Sequence, residues 1–179
     1  YKPEADDALG GALVSLRDDL ARSRQEEVAR QHEDQVRRWM AEGLAQFGEI
    51  LRSEITKLED LAYNIVSSLV KYIEANQCGY YMIEGEDEDR YFRLLACYAY
   101  DRRKFADQRI EWGDGLVGAC ALEGVTTHLD HVPNGYLKIT SGLGQATPQN
   151  LMLVPVRHDT TVFGVIELAS FKKFEPHVV

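Results

Sequence analysis

The side chains of this 179-residue chain that could do chemistry are Cys78, Cys97 and Cys120, the pair His128 and His131, the glycine-rich run Ser141-Gly142-Leu143-Gly144, and Glu167. The cysteines are odd in number, far apart and form no C-x-x-C unit, which argues against a disulfide framework or a metal knuckle. They read as small core residues in a reducing compartment. His128 and His131 flank a strand end and could supply two ligands to a metal or haem. No H-E-x-x-H pattern accompanies them, so no metal site is expected. The glycine-rich run could approach a phosphate but lacks the lysine and following hydroxyl of a P-loop. Glu167, between Ile166 and Leu168, is expected to face solvent or to pair with an arginine of the N-terminal helix, and nothing in the sequence supports it as a general base. No catalytic residue emerges, and the chain reads as a non-catalytic module.

The elements that must position these residues begin with a long helix. From Asp6 to about Arg52 there is no proline, and Ala, Leu, Glu, Gln and Arg dominate, a composition that favours unbroken helix. At 1.5 Å per residue it extends roughly 70 Å, more than one small domain can cover. Leu9, Leu13, Leu16 and Leu20 step by four, three and four, the spacing of a heptad seam. A second seam runs through Val36, Met40, Leu44, Phe47 and Leu51, out of phase with the first, so the two meet across a stutter. These stripes predict a parallel homodimer. The net charge of −9 repels phosphate backbones and excludes nucleic acid as an expected partner. No apolar run is long enough to span a bilayer, so no membrane contact is expected within this stretch. Tyr1 is not an initiator Met, and the chain is read as a fragment of something longer.

Residues 53–56 are a plausible break, with Thr56-Lys57-Leu58-Glu59 as a capping box. A second helix is expected over 57–75 on a face of Leu58, Leu61, Ala62, Ile65, Leu69 and Ile73, ended near Gly79. From Tyr80 the period becomes that of strands: 80–84 and 91–100, with Phe92, Leu94, Ala96, Tyr98 and Tyr100 sharing one face. Residues 101–109 suggest a loop with a helical turn. A short helix capped by Asp114, a strand over 125–129, a long loop over 132–149 and paired strands over 151–157 and 162–171 follow. Pro155 belongs at an edge or a bulge. The order is α+β, with one sheet face under the 57–75 helix and the other under the middle segment and the long loop, leaving room for a small pocket.

Three segments carry a family resemblance: ANQCGYYMIE (75–84), GDGLVGAC (113–120) and the pair PV with FGVIELASF (155–156 and 163–171). They resemble a GAF domain. The loop NGYLKITSGLGQATP (134–148) and the stretch WMAEGLAQFGEILR (39–52) resemble one subgroup of GAF domains in bacterial two-component sensors. The opening, with Asp7, Leu9 and Gly10 in D-x-L-G positions, is similar to the C-terminal half of a HAMP linker. The resemblance implies three parts: 1–22 as the end of a HAMP-like linker, 23–55 as a coiled-coil signalling helix, and 56–179 as the GAF-like domain. It also implies a six-stranded antiparallel sheet with flanking helices, and a final helix starting near Phe174. The parent would be an inner-membrane signalling protein, a histidine kinase by analogy, with this portion in the cytoplasm.

A pocket in such a fold is expected among Tyr98, Trp112, Leu116, His128, Tyr136, Ile139, Thr140 and Ser141, an aromatic wall with a few polar groups. No cofactor is implied, and the ligand is an unidentified small molecule. Two other readings stand beside the sensor. One is a structural coupler whose pocket is filled by its own side chains. The other is thiol-dependent methionine sulfoxide reduction, which some GAF-like proteins perform. It would need a low-pKa cysteine, and Cys120 lies too far into its helix to gain one from the N-terminus.

Overall fold

The computed structural model describes residues 8–99, 102–104, 109–133, 135–137, 139–141 and 144–178. Asp7, Tyr100, Asn134, Lys138, Gly142 and Leu143 of the motifs above lie outside them. The chain divides into two compact units, 1–45 and 46–179.

The first unit is helix throughout its described length, the larger part of α1 (Ala8–Arg52). Its seam residues Leu9, Leu13, Leu16 and Leu20 are all more than half exposed, as are Met40 and Leu44. Val36 is half-buried. Apolar stripes left in water are what the heptad spacing leads one to expect of a helix described without a partner.

In the second unit, α1 ends where the Ser53 hydroxyl donates to the Ile50 carbonyl, and residues 53–57 are non-helical. Ser53–Thr56 is therefore a real break. The expected capping box does not form: α2 (Leu58–Ile73) starts one residue later, with Lys57 at the cap and no side-chain cap bond. Glu59 reaches Arg93 instead, at 3.7 Å. Phe47, assigned to the seam, makes an edge-on ring contact with Tyr72 of α2 at 5.9 Å, while Leu51 stays exposed. The left-handed residue that ends α2 is Glu74 (φ 56) rather than Gly79, which lies inside a strand.

The strands are β1 (Gln77–Glu84), β2 (Tyr91–Ala99), β3 (Arg102–Lys104), β4 (Arg109–Glu111), β5 (Thr127–Leu129), β6 (Ile139–Ser141), β7 (Gly144–Ala146), β8 (Asn150–His158) and β9 (Thr161–Ser170). The main sheet runs β3-β2-β1-β9-β8-β5 with β4 also on β2. Strands β3 and β4 pair with opposite ends of β2, so the sheet has six positions, all antiparallel. Within the 101–109 stretch expected as a loop with a helical turn, residues 102–104 and 109 are strand, 101 and 105–108 lying outside the described residues, and the long loop contains the β6–β7 ribbon. Strand β5 pairs only with Leu151–Leu153, so Pro155 sits on an open edge, where its missing N–H breaks no ladder.

Each face of the sheet has its own core. On one face α2 lays Ala62, Val66 and Val70 against Cys78, Leu95, Ala96, Tyr98, Met152, Leu168 and Phe174. The stripe is rotated from expectation: Val66 and Val70 are buried while Leu58 is 48% exposed. The helix is apolar around more than half its girth, and the sheet takes only part of that. On the other face α3 (Gly115–Glu123) and the β5–β8 connection cover Tyr81, Phe92, Leu94, Cys97, Leu151, Leu153, Val165 and Ala169. Gly118 lets α3 close on its own turn, since a Cβ there would lie 2.4 Å from the Gly113 carbonyl carbon.

The expected alternation along β2 fails at its middle. The register shifts between Tyr80 and Tyr81, so that Ala96 and Leu94 follow one another as partners and Leu95 is the extra residue. A bulge of this kind reverses the facing of everything beyond it. Phe92 and Leu94 point to the α3 face, whereas Ala96 and Tyr98 point to α2.

Candidate functional site

Strand β9 reads Val165, Glu167, Ala169 on the α3 face and Ile166, Leu168, Ser170 on the α2 face. Glu167 is therefore turned inward in the middle of the sheet and is only 5% exposed. Its cross-strand partners are Leu153 on β8 and Gly79 on β1. The Tyr81 ring lies over Gly79, with Cε2 3.3 Å from where a Cβ would stand. From the β5–β8 connection, the Tyr136 hydroxyl donates to Glu167 Oε2 at 2.7 Å. Among the described residues no cation pairs with this carboxylate.

Burial holds the Glu167 carboxyl above the usual carboxylate range, with the Tyr136 bond opposing part of the rise. Tyr136 and Tyr81 are raised too, first by burial and then by the charge of Glu167. The three groups form one coupled polar patch inside an apolar face, where a charge is costly unless paired and hydrogen-bonded.

The pocket residues expected from the sequence fall into two groups. Trp112, Leu116, Tyr136 and Ile139 gather on the α3 face, Ile139 fully buried and the others packed against the same core. Trp112 stacks on Phe92 with ring centroids 5.3 Å apart and carries the Arg90 guanidinium on its ring at 4.6 Å. The backbone of Thr140 and Ser141 is in β6, on the same connection, and their side chains lie outside the described residues. Tyr98 and His128 are on the opposite face. The β2 bulge turns Tyr98 under α2, with its ring 5.9 Å from Tyr63. His128 meets Phe174 at 6.0 Å, and its Nε2 lies 3.7 Å from Asp130 Oδ1. Glu167 was missed: the sequence reading left it facing solvent or an arginine, and neither holds. A charged residue in a strand whose two neighbouring faces are both apolar was the available signal.

All three cysteines are buried and outside any disulfide. Burial raises the Cys78 thiol well above its ordinary value and pushes Cys120 up to about 11. Both shifts run against thiolate formation. Among the described residues no His, Cys, Asp and Glu cluster is arranged for a metal, and no helix is long and apolar enough to cross a membrane.

A sheet of this order, one helix on one face and a short helix with a long connection on the other, defines a small α+β module. The family model described as GAF domain matches residues 55–176, and the chain belongs to that family. No curated protein matches it. Among solved structures it is similar to the A. aeolicus nlh2 GAF domain in an inactive state, at 20% identity and a TM-score of 0.60, covering 78% of this chain and 83% of that one. The GAF domain of a phosphoenolpyruvate-protein phosphotransferase from Coxiella burnetii follows at 16% and 0.57, covering 75% and 82%. Free methionine-R-sulfoxide reductase from Neisseria meningitidis, in complex with its substrate, is similar at 17% and 0.55, covering 74% of each chain. At these identities the likeness is one of fold.

Proposed function

We propose that this chain is the sensory and dimerisation module of a bacterial membrane-associated signalling protein, a histidine kinase by its resemblance, working on the cytoplasmic side. It binds a small molecule on the α3 face and passes the change through its helices. In this reading 1–22 ends a HAMP-like linker, 23–55 is a coiled coil and 56–179 is the sensor. The observation that carries the sensor role is the buried Glu167 held by Tyr136. A carboxylate in the centre of a core face costs stability, and its donor comes from a connection long enough to be functional. The exposed leucines of α1 support the dimer.

Two measurements test this. Light scattering over a dilution series is expected to give a dimer mass, falling to the monomer when Leu13 and Leu20 are both replaced by Glu. A lone molecule at every concentration would overturn the relay. A thermal-shift screen of metabolites should find a ligand, which at about 100 times its Kd adds roughly 2.7 kcal/mol.

One observation favours a second reading, the structural coupler: Tyr136 already occupies Glu167, so the chain fills the position itself. A screen without a hit supports that reading. The raised thiols of Cys78 and Cys120 weigh against sulfoxide reduction.

A further inference from the structure

The α3 face holds a buried carboxyl, two phenol side chains beside it, and among the described residues no cation to match. Glu167 is deep in the sheet, Tyr81 lies across its neighbour Gly79, and Tyr136 reaches it from a connection between strands. A carboxyl with two phenol side chains around it suits one kind of guest. An ammonium group satisfies the carboxylate by charge-assisted hydrogen bonds or close approach, and the ring faces by their negative quadrupoles. A cation stabilises the ionised carboxylate that burial disfavours, whereas a neutral guest supplies no such charge and an anion adds to the cost.

We propose that Glu167 is the recognition group for a small organic ammonium compound, seated against Tyr81 and Tyr136 on the α3 face. The proposal rests on the sensor reading and deepens it by naming the ligand's chemistry. Tyr136 is the element that responds. Its hydroxyl bonds the carboxylate in the ligand-free state, and the ammonium takes over that oxygen. The release frees the connection carrying Tyr136, and this couples occupancy to the loop. An amine able to donate hydrogen bonds and a quaternary ammonium able only to stack share this charge. They differ in what they need: the amine draws on Glu167 and the quaternary compound more on the rings.

The test uses the whole chain and two matched probe pairs: ethanolamine against ethylene glycol, and choline against 3,3-dimethylbutanol, its neutral isostere. Thermal shift and calorimetry are expected to show binding by at least one ammonium member and by neither neutral one. Glu167→Gln keeps an acceptor for Tyr136 and removes the charge; it should fold and bind the ammonium probe about 10–100-fold more weakly. Tyr81→Leu should weaken choline more than ethanolamine. If neither ammonium probe binds the folded wild-type chain, or if Glu167→Gln binds it equally well, the proposal is overturned. The two readings fail differently. A neutral or anionic metabolite that stabilises wild type and Glu167→Gln alike overturns the ammonium assignment and leaves the sensor standing. No ligand of any class overturns both.

Discussion

The two faces of the sheet are built from the same strands and solve different problems. The α2 face is closed by a helix whose Ala62, Val66 and Val70 meet Cys78, Leu95, Met152 and Leu168, with no buried charged side chain there among the described residues. The α3 face has an equally apolar floor but carries Glu167 in its middle and a connection, not a long helix, above it. One face is a packing surface. The other spends stability on a buried carboxyl, a cost that proteins meet most often at functional sites.

The comparison can be broken most sharply on the closed face. Leu168→Ala leaves a cavity under α2 and is expected to cost about 2–5 kcal/mol in chemical denaturation. A cost below 1 kcal/mol would mean that face is loosely packed and the contrast is false. Next comes Tyr136→Phe, which strips the donor from a buried carboxyl and should cost about 1–3 kcal/mol. It should also speed hydrogen exchange around residue 136, and no change there would show that the bond does not hold the connection.

A pH series sharpens the same contrast. Glu167 titrates higher in the folded chain than its ordinary value of 4.5. Between the unfolded and folded values the native state holds the extra proton. Its stabilising effect is complete below the unfolded value and is lost as pH rises through the folded one. The groups around it, Tyr136, Tyr81 and Cys78, are all shifted upward and stay protonated through that window. Wild type should therefore lose stability relative to Glu167→Gln as pH rises above the ordinary carboxylate range. Parallel curves would place the carboxyl in water. The smallest effect is expected at the rim, where Glu59→Gln breaks a half-exposed contact with Arg93 and should cost at most about 0.5 kcal/mol.

Much of the fold was legible. The run of helix formers to Arg52, the paired strands 150–158 and 161–170, and the edge placement of Pro155 follow from composition, alternation and a missing N–H. Trp112, Leu116, Tyr136 and Ile139 were placed together through the family resemblance and do share a face. Tyr98 lies on the other face because facing depends on register, and one extra residue at Leu95 reverses it, while His128 faces the same side through its pairing with Met152. That bulge is set by pairing with β1, a contact between residues distant in sequence.

The sequence by itself determined the periodicities: a heptad stripe on α1, an apolar girth on α2, apolar positions on both sides of β9. Those are local, because neighbouring side chains repeat at fixed angles along a helix or strand. Only the tertiary structure decided which part of α2 the sheet covers, that Glu74 rather than Gly79 turns the chain, and that Glu167 points inward to meet Tyr136, 31 residues away. Each of these depends on which surfaces come together in three dimensions, and no local pattern encodes that.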